Sequence, residues 1–197
     1  MPTTDRPART GGRVRSQDAH DAVLAATAEL LEEIGYRRIT MEGVAQQANV
    51  AKSTIYRWWK SKPELVMEAY RGIVEQRMPV PDTGDIRADL VEFTARLYGI
   101  GSYPVRVKAL RGLMAEAQLD PGFAGPFGEW AAGRRAVVVQ LLDRGVERGQ
   151  VPAEIDAEHV ADQLFGVFWY RLLTDRELDP EQAAGHVDRL LAGVIRT

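Results

Sequence analysis

Apolar residues recur at intervals of three and four along nearly the whole chain, and no stretch alternates apolar with polar. That is the period of helices rather than strands, so an all-α fold of about nine helices is expected. Ala19, Val23, Ala26, Leu30 and Ile34 form the stripe of a first helix, with Ser16 as its cap and Gly35 as its stop. Met41, Val44, Ala45 and Ala48 make one face of a short second helix, and the Thr40 hydroxyl can cap it. Asn49 falls where the chain must leave that helix, and Asn tolerates the left-handed backbone such a stop needs. A third helix starts near Ala51 or Lys52, with Ile55 and Trp59, four apart, on its inward face. Ser61-Lys62-Pro63-Glu64 is a capping box with Pro in the first turn. It opens a fourth helix carried by Leu65, Val66, Ala69, Tyr70 and Ile73.

Residues 78–84 contain two prolines and a glycine and break the pattern. Further helices are expected over about 86–98, 104–118, 127–148 and 156–174, and a last one opens at the capping box Asp179-Pro180-Glu181-Gln182. Asp120-Pro121-Gly122 should restart the chain, and Gly125-Pro126 should interrupt or kink the segment after it. The expected organisation is a disordered basic arm over 1–15, a three-helix domain over 16–62, and a larger helical domain over 63–197.

Composition narrows the class. The 197 residues are 45% hydrophobic and 27% charged, ordinary for a globular chain with a real core. There is no cysteine, so neither a disulfide framework nor a Cys-based zinc site exists. The start of the chain lacks the apolar stretch of a signal peptide, and no run approaches membrane-spanning length. A cytoplasmic protein without membrane contact is expected. The net charge of −3 hides an asymmetry. Residues 1–62 hold ten Lys/Arg against seven Asp/Glu, a net of +3, and the remainder holds fifteen against twenty-one, a net of −6. That split directs contact with a polyanion to the N-terminal part. The arm over 1–15 reads equally well as a solvated tail or as a segment following phosphates.

The third helix carries the candidate chemistry. Lys52, Ser53, Tyr56, Arg57 and Lys60 fall mainly outside the Ile55–Trp59 face, with no acid among them. A helix, a short turn and a polar, basic second helix make a helix-turn-helix, whose second helix enters the major groove of double-stranded DNA. A short basic helix is also what a merely solvated face looks like, so a helix-turn-helix that never touches DNA stays open.

Ile39-Thr40, Val44-Ala45 and above all Val50-Ala51-Lys52-Ser53-Thr54-Ile55-Tyr56-Arg57-Trp58-Trp59-Lys60-Ser61-Lys62 resemble the tetracycline-repressor (TetR-type) family of bacterial transcription regulators. The resemblance covers about the first third of the chain, and Asn49 stands where many members have Gly. Candidate DNA contacts are Thr40, Lys52, Ser53, Thr54, Tyr56, Arg57, Trp58, Lys60 and Lys62, with Lys62 and the amides of the second capping box as a phosphate point.

The resemblance implies a C-terminal domain that binds a small molecule and forms a homodimer. Candidate pocket residues are Phe93, Leu97, Leu110, Leu113, Met114, Phe127, Trp130, Leu164 and Phe168, which suit an apolar or aromatic effector, although most of them would serve equally as plain core. The last two long helices carry more apolar surface than one face needs. Val160, Gly166, Val167, Tyr170, Val187, Leu190, Leu191 and Val194 are therefore the candidate dimer interface. His20, His159 and His186 are isolated, and no hydrolase, phosphate-loop or dinucleotide motif is present, so no cofactor and no metal are expected. The expectation is a ligand-responsive regulator, with repression as its output, on a near-palindromic operator. A helical adaptor and a helical enzyme with an inert helix-turn-helix are the alternatives.

Overall fold

Two residues at positive φ set the turns of the N-terminal part: Gly35 at 75° and Asn49 at 53°. The computed structural model of the chain describes residues 11–194, and the side chains of 17–192. Gly35 closes α1 (Gly11–Ile34) and leads through a 3-10 turn at Tyr36–Arg38 to α2 (Met41–Gln47), α3 (Lys52–Trp58) and α4 (Lys62–Arg77). Asn49 is in the left-handed backbone expected of it, and Val50 N–H donates back to Ala45 O at 3.0 Å, which closes the end of α2.

The first helix begins at Gly11, five residues before Ser16. Arg13, Val14 and Arg15 carry the helix past Gly12, so Ser16 falls in the helix interior rather than at its start. Residues 11–15 of the expected arm are thus helical, and 1–10 lie outside the described residues. The buried line of α1 runs through Val23, Ala26, Thr27 and Leu31, with Ala19, Leu30 and Ile34 half-buried beside it. Thr27 Oγ1 donates to Val23 O at 2.7 Å, which satisfies a hydroxyl that burial would otherwise strand.

The chain divides into two compact units, Met1–Ala69 and Tyr70–Thr197. The division falls inside α4, seven residues after the expected boundary at 62/63. The first half of α4 belongs with the head because Leu65, Val66 and Ala69 are buried in it, and because Trp59 Nε1 donates to Glu68 Oε2 at 2.6 Å.

The second unit is built on α5 (Ile86–Tyr98), which packs against α7 (Pro121–Glu147), α8 (Ala157–Leu173) and α9 (Ala183–Val194). The remaining helix, α6 (Pro104–Leu119), lies against α7 and α8, and no strand is present among the described residues. Asp85, Asp120 and Asp156 cap α5, α7 and α8, each accepting a backbone N–H at 2.7–2.9 Å. Leu90, Phe93, Leu110, Leu113, Val138, Leu142, Leu164 and Phe168 fill the core. Truncating any one of these to Ala should cost about 2–5 kcal/mol.

Two expectations change here. Gly125-Pro126 does not interrupt the chain, because α7 is continuous from Pro121. Pro126 lies within two turns of the helix start, so its missing N–H removes only one bond near an end. The last helix begins at Ala183, after a 3-10 turn at Pro180–Gln182. Gln182 does not close the box on Asp179, because its Oε1 accepts from Arg171 Nη1 at 2.6 Å.

A buried polar pair fastens α5 to α9. Tyr98 Oη and His186 Nδ1 are 2.7 Å apart. Burial, with Arg189 and Arg171 nearby, holds the imidazole below its ordinary value of 6.5. The folded chain therefore keeps His186 neutral where the unfolded chain takes up a proton. The contribution to stability is complete above about pH 6.5 and is lost as pH falls from there toward the depressed folded value. Thermal unfolding between pH 7 and 5 is the check. The wild-type Tm is expected to fall more steeply than that of His186→Gln, which does not titrate, and equal slopes would contradict this.

Candidate nucleic-acid interface

The head is built so that one short helix can be shown to solvent. Thr40 Oγ1 accepts from Gly43 N at 3.0 Å and starts α2. Thr54 N–H donates to Ala51 O at 2.8 Å and starts α3 without a side-chain cap. Ile55 is 0% exposed and Trp59 nearly so, which anchors α3 through the expected inward pair. Lys52, Ser53, Tyr56, Arg57 and Lys60 are exposed, Thr54 is half-buried, and no residue of α3 is acidic.

Neighbours modify that face in three ways. Lys52 Nζ pairs with Glu42, at the start of α2, and lies 5.5 Å from the centre of the Tyr56 ring. The pair holds Glu42 below the usual carboxylate value and Lys52 above the usual amine value. Both groups are in water, so a phosphate can displace the carboxylate at little cost. Trp58 is half-buried, 5.2 Å edge-on to His20, and the Arg57 guanidinium sits 4.8 Å over its ring. Trp58 therefore supports Arg57 rather than projecting itself.

Lys62 is the third change. Its Nζ donates to Tyr36 O at 3.1 Å and sits 4.0 Å over the Tyr36 ring, so the half-buried ammonium braces the start of α4 instead of reaching outward. The capping box forms around it. Glu64 N–H reaches Ser61 Oγ at 3.4 Å, and Glu64 Oε2 accepts from Lys60 N at 2.8 Å, one residue earlier than the usual box.

In the second unit the candidate pocket residues separate. Phe93, Leu97, Leu110, Leu113, Leu164 and Phe168 are buried side chains of the core, and Met114 and Phe127 are half-buried. Of the nine, Trp130 lines a cleft of about 530 Å³ between the end of α4 and the middle of α7. A second cleft, of about 690 Å³, lies between Gly101–Arg111 and Leu172–Pro180 and contains none of the nine. Sequence reading missed Arg134, which lines the first cleft and is buried. The available signal was its place on an otherwise apolar stripe of α7, four residues after Trp130.

The candidate interface residues also separate. Val160, Val187 and Leu191 are buried by the unit's own helices, and Leu190 is half-buried. Gly166, Val167, Tyr170 and Leu173 share one outward line on α8, with Tyr170 55% and Leu173 71% exposed. Trp169 turns away from that line and stands 4.9 Å from Phe168 and 6.3 Å from Trp130. The Val194 side chain lies outside the described residues.

Among the described residues no cluster of His, Cys, Asp and Glu could hold a metal ion, and no helix is long and apolar enough to cross a membrane. Residues 23–69 match the family model for bacterial regulatory proteins of the tetR family, and residues 80–190 match that for the tetracyclin repressor-like C-terminal domain. An uncharacterized HTH-type transcriptional regulator of Bacillus subtilis, YdeS, is 32% identical over 163 residues, 82% of each chain. A DNA-binding transcriptional repressor, TetR, of Mycobacteroides abscessus is 28% identical over 197 residues, 92% of this chain and 96% of the relative. The crystal structure of the TetR family transcription regulator SCO0332 superposes with a TM-score of 0.79 at 34% identity, over 91% of this chain and all of that one. The two profiles divide the chain where its compact units divide, and the relatives span most of its length: this chain belongs to the TetR family of bacterial transcriptional regulators.

Proposed function

We propose that the chain acts as a homodimeric repressor that binds a near-palindromic operator and leaves it when a small molecule occupies the C-terminal unit. The observation that carries the DNA reading is the acid-free outer face of α3, held rigid by Ile55 and Trp59. Arg57 and Lys52 have the longest reach on that face and are assigned to base edges or adjacent phosphates. Ser53, Thr54, Tyr56, Lys60 and Thr40 are assigned to the backbone, where contacts fix register. A single helix of seven residues reads few base pairs, so two heads on a twofold axis are needed. The outward line Gly166–Val167–Tyr170–Leu173 supports α8, with α9 beside it, as the surface where the same patch meets itself.

Helix α4 gives the reading its switch, because one continuous helix contributes to both units. A ligand that binds the DNA-competent and DNA-released states differently shifts their populations, and one that binds both equally does nothing. Selection of duplexes from a random pool by the wild-type chain tests the DNA part. Two inverted half-sites centred roughly 34–36 Å apart are expected, the spacing of successive major grooves. A pool left unenriched after selection would overturn it.

A further inference from the structure

Phe123, Phe127, Trp130 and Arg134 succeed one another on α7 at spacings of four, three and four, so they share one face. Three of these positions are aromatic. The fourth is a cation in a place built for an apolar residue.

Arg134 is 9% exposed. A buried guanidinium ordinarily has a carboxylate partner, since desolvating a lone charge is costly. No carboxylate of the described residues lies within ion-pair distance of this one. Its neighbours are weak acceptors: Met78 Sδ, 3.8 Å from Nη2, and the face of Phe93, 5.2 Å from the guanidinium carbon. Burial pushes the guanidinium below its usual value, and Glu75 and Tyr70 pull the other way only at longer range. One turn away, Trp130 is 7% exposed, and its Nε1–H is buried with no acceptor. Of these two adjacent buried donors, Arg134 has only a thioether and a ring face, and Trp130 has no acceptor.

Both residues line the cleft of about 530 Å³, within the size range of small-molecule sites. Val74, Met78, Val80 and Val137 supply apolar wall. Glu75 and Glu129 also line the cleft, but on its water-facing side, where solvent and salt screen them. The inner end is thus positive and short of acceptors, the walls are apolar, and the space is limited. A single buried cation matches a monoanion and falls short of a phosphate dianion.

We propose that this cleft binds a small carboxylic acid in its ionised form, carried on an aryl or alkyl body. Arg134 takes the carboxylate in its planar fork, Trp130 Nε1 supplies a further donor, and Val74, Met78 and Val137 enclose the body. The fork geometry suits two parallel N–H to oxygen bonds, which an alcohol cannot accept. This names a chemical class for the effector of the proposed function and rests on that reading only for its consequence at the operator.

Calorimetric titration of the full chain without DNA tests it, with 2-naphthoate and decanoate as probes against 2-naphthalenemethanol and decanol. At least one carboxylate is expected to bind about tenfold or more tighter than its alcohol, as a charge-assisted bidentate contact requires. Arg134→Met should bring that carboxylate to the level of its alcohol. It should leave the ligand-free Tm no lower, because an unpaired buried charge is replaced by an apolar side chain of similar length. If Arg134→Met does not fold, Trp130→Phe keeps an aromatic, though smaller, side chain, deletes the donor and should weaken the carboxylate more than the alcohol. Carboxylates that bind no better than their alcohols, including no binding at all, would overturn the proposal. So would carboxylate affinity that survives Arg134→Met, or Trp130→Phe when that variant stands in. A carboxylate that binds through Arg134 yet leaves the operator complex intact would uphold the cleft and overturn ligand release as the function.

Discussion

Val167→Glu will give a chain that folds but no longer holds its operator. Val167 is half-buried on the outward line of α8, between exposed Gly166 and Tyr170, and Leu173 continues that line two turns beyond Gly166. A monomer would leave this apolar strip in water, an association hazard, whereas an isologous pair buries it twice over. A carboxylate there meets its own copy across the twofold axis, desolvated and without a partner. Loss of the second head should remove on the order of 10²–10⁴ in apparent affinity, the usual return of joining two sites. Leu190→Arg on α9 makes the same test from the neighbouring helix. Tm and the far-ultraviolet spectrum monitor the fold, and a gel shift reads the complex. A folded Val167→Glu chain that shifts operator DNA as the wild type does would remove α8 from the interface.

Arg57→Ala should weaken binding to the enriched duplex by about 1–3 kcal/mol, roughly 5- to 150-fold, if its contact is bidentate to guanine. Arg57 is exposed and its guanidinium rests 4.8 Å over Trp58, so the side chain is pre-positioned at the surface. The Tm should stay near that of the wild type. The informative quantity is the ratio of affinities for enriched and random duplexes. A bidentate base contact lowers that ratio, because random DNA is held mainly through phosphates. Equal loss on both would assign Arg57 to a phosphate.

The head was legible because its signals are local. Thr40, Asn49 and the Ser61–Glu64 box act on backbone within four residues, and Ile55 and Trp59 mark one helix face by spacing alone. Lys62 was not legible in the same way. Its charge suggested a phosphate, but its partner is Tyr36, 26 residues earlier, and only the folded head brings the two together. Lys52 is similar, since the acid-free face of α3 hides Glu42, which reaches over from α2. In the second unit, periodicity located the helices but not what each apolar side chain meets. Phe93 and Leu164 are core, Trp130 is a cleft wall, and nothing in the sequence separates the three. Val160 and Val187 face inward and Tyr170 outward for the same reason: a helix with two apolar sides does not say which side belongs to its own chain. Arg134 left a readable mark, a charge on an aromatic stripe, but its meaning depends on what the folded chain places beside it. Pro126 reads as a break only when the rule for a helix interior is applied within two turns of an end, where it is weak.

Light scattering on the wild-type chain bound to its enriched duplex tests most directly the claim of a dimer that reads DNA through two copies of α3. The expected result is two chains per duplex at micromolar concentration, with one inverted half-site protected by each. A single chain that binds one half-site as tightly as the full site would contradict it, and would remove the twofold axis that sets the operator spacing.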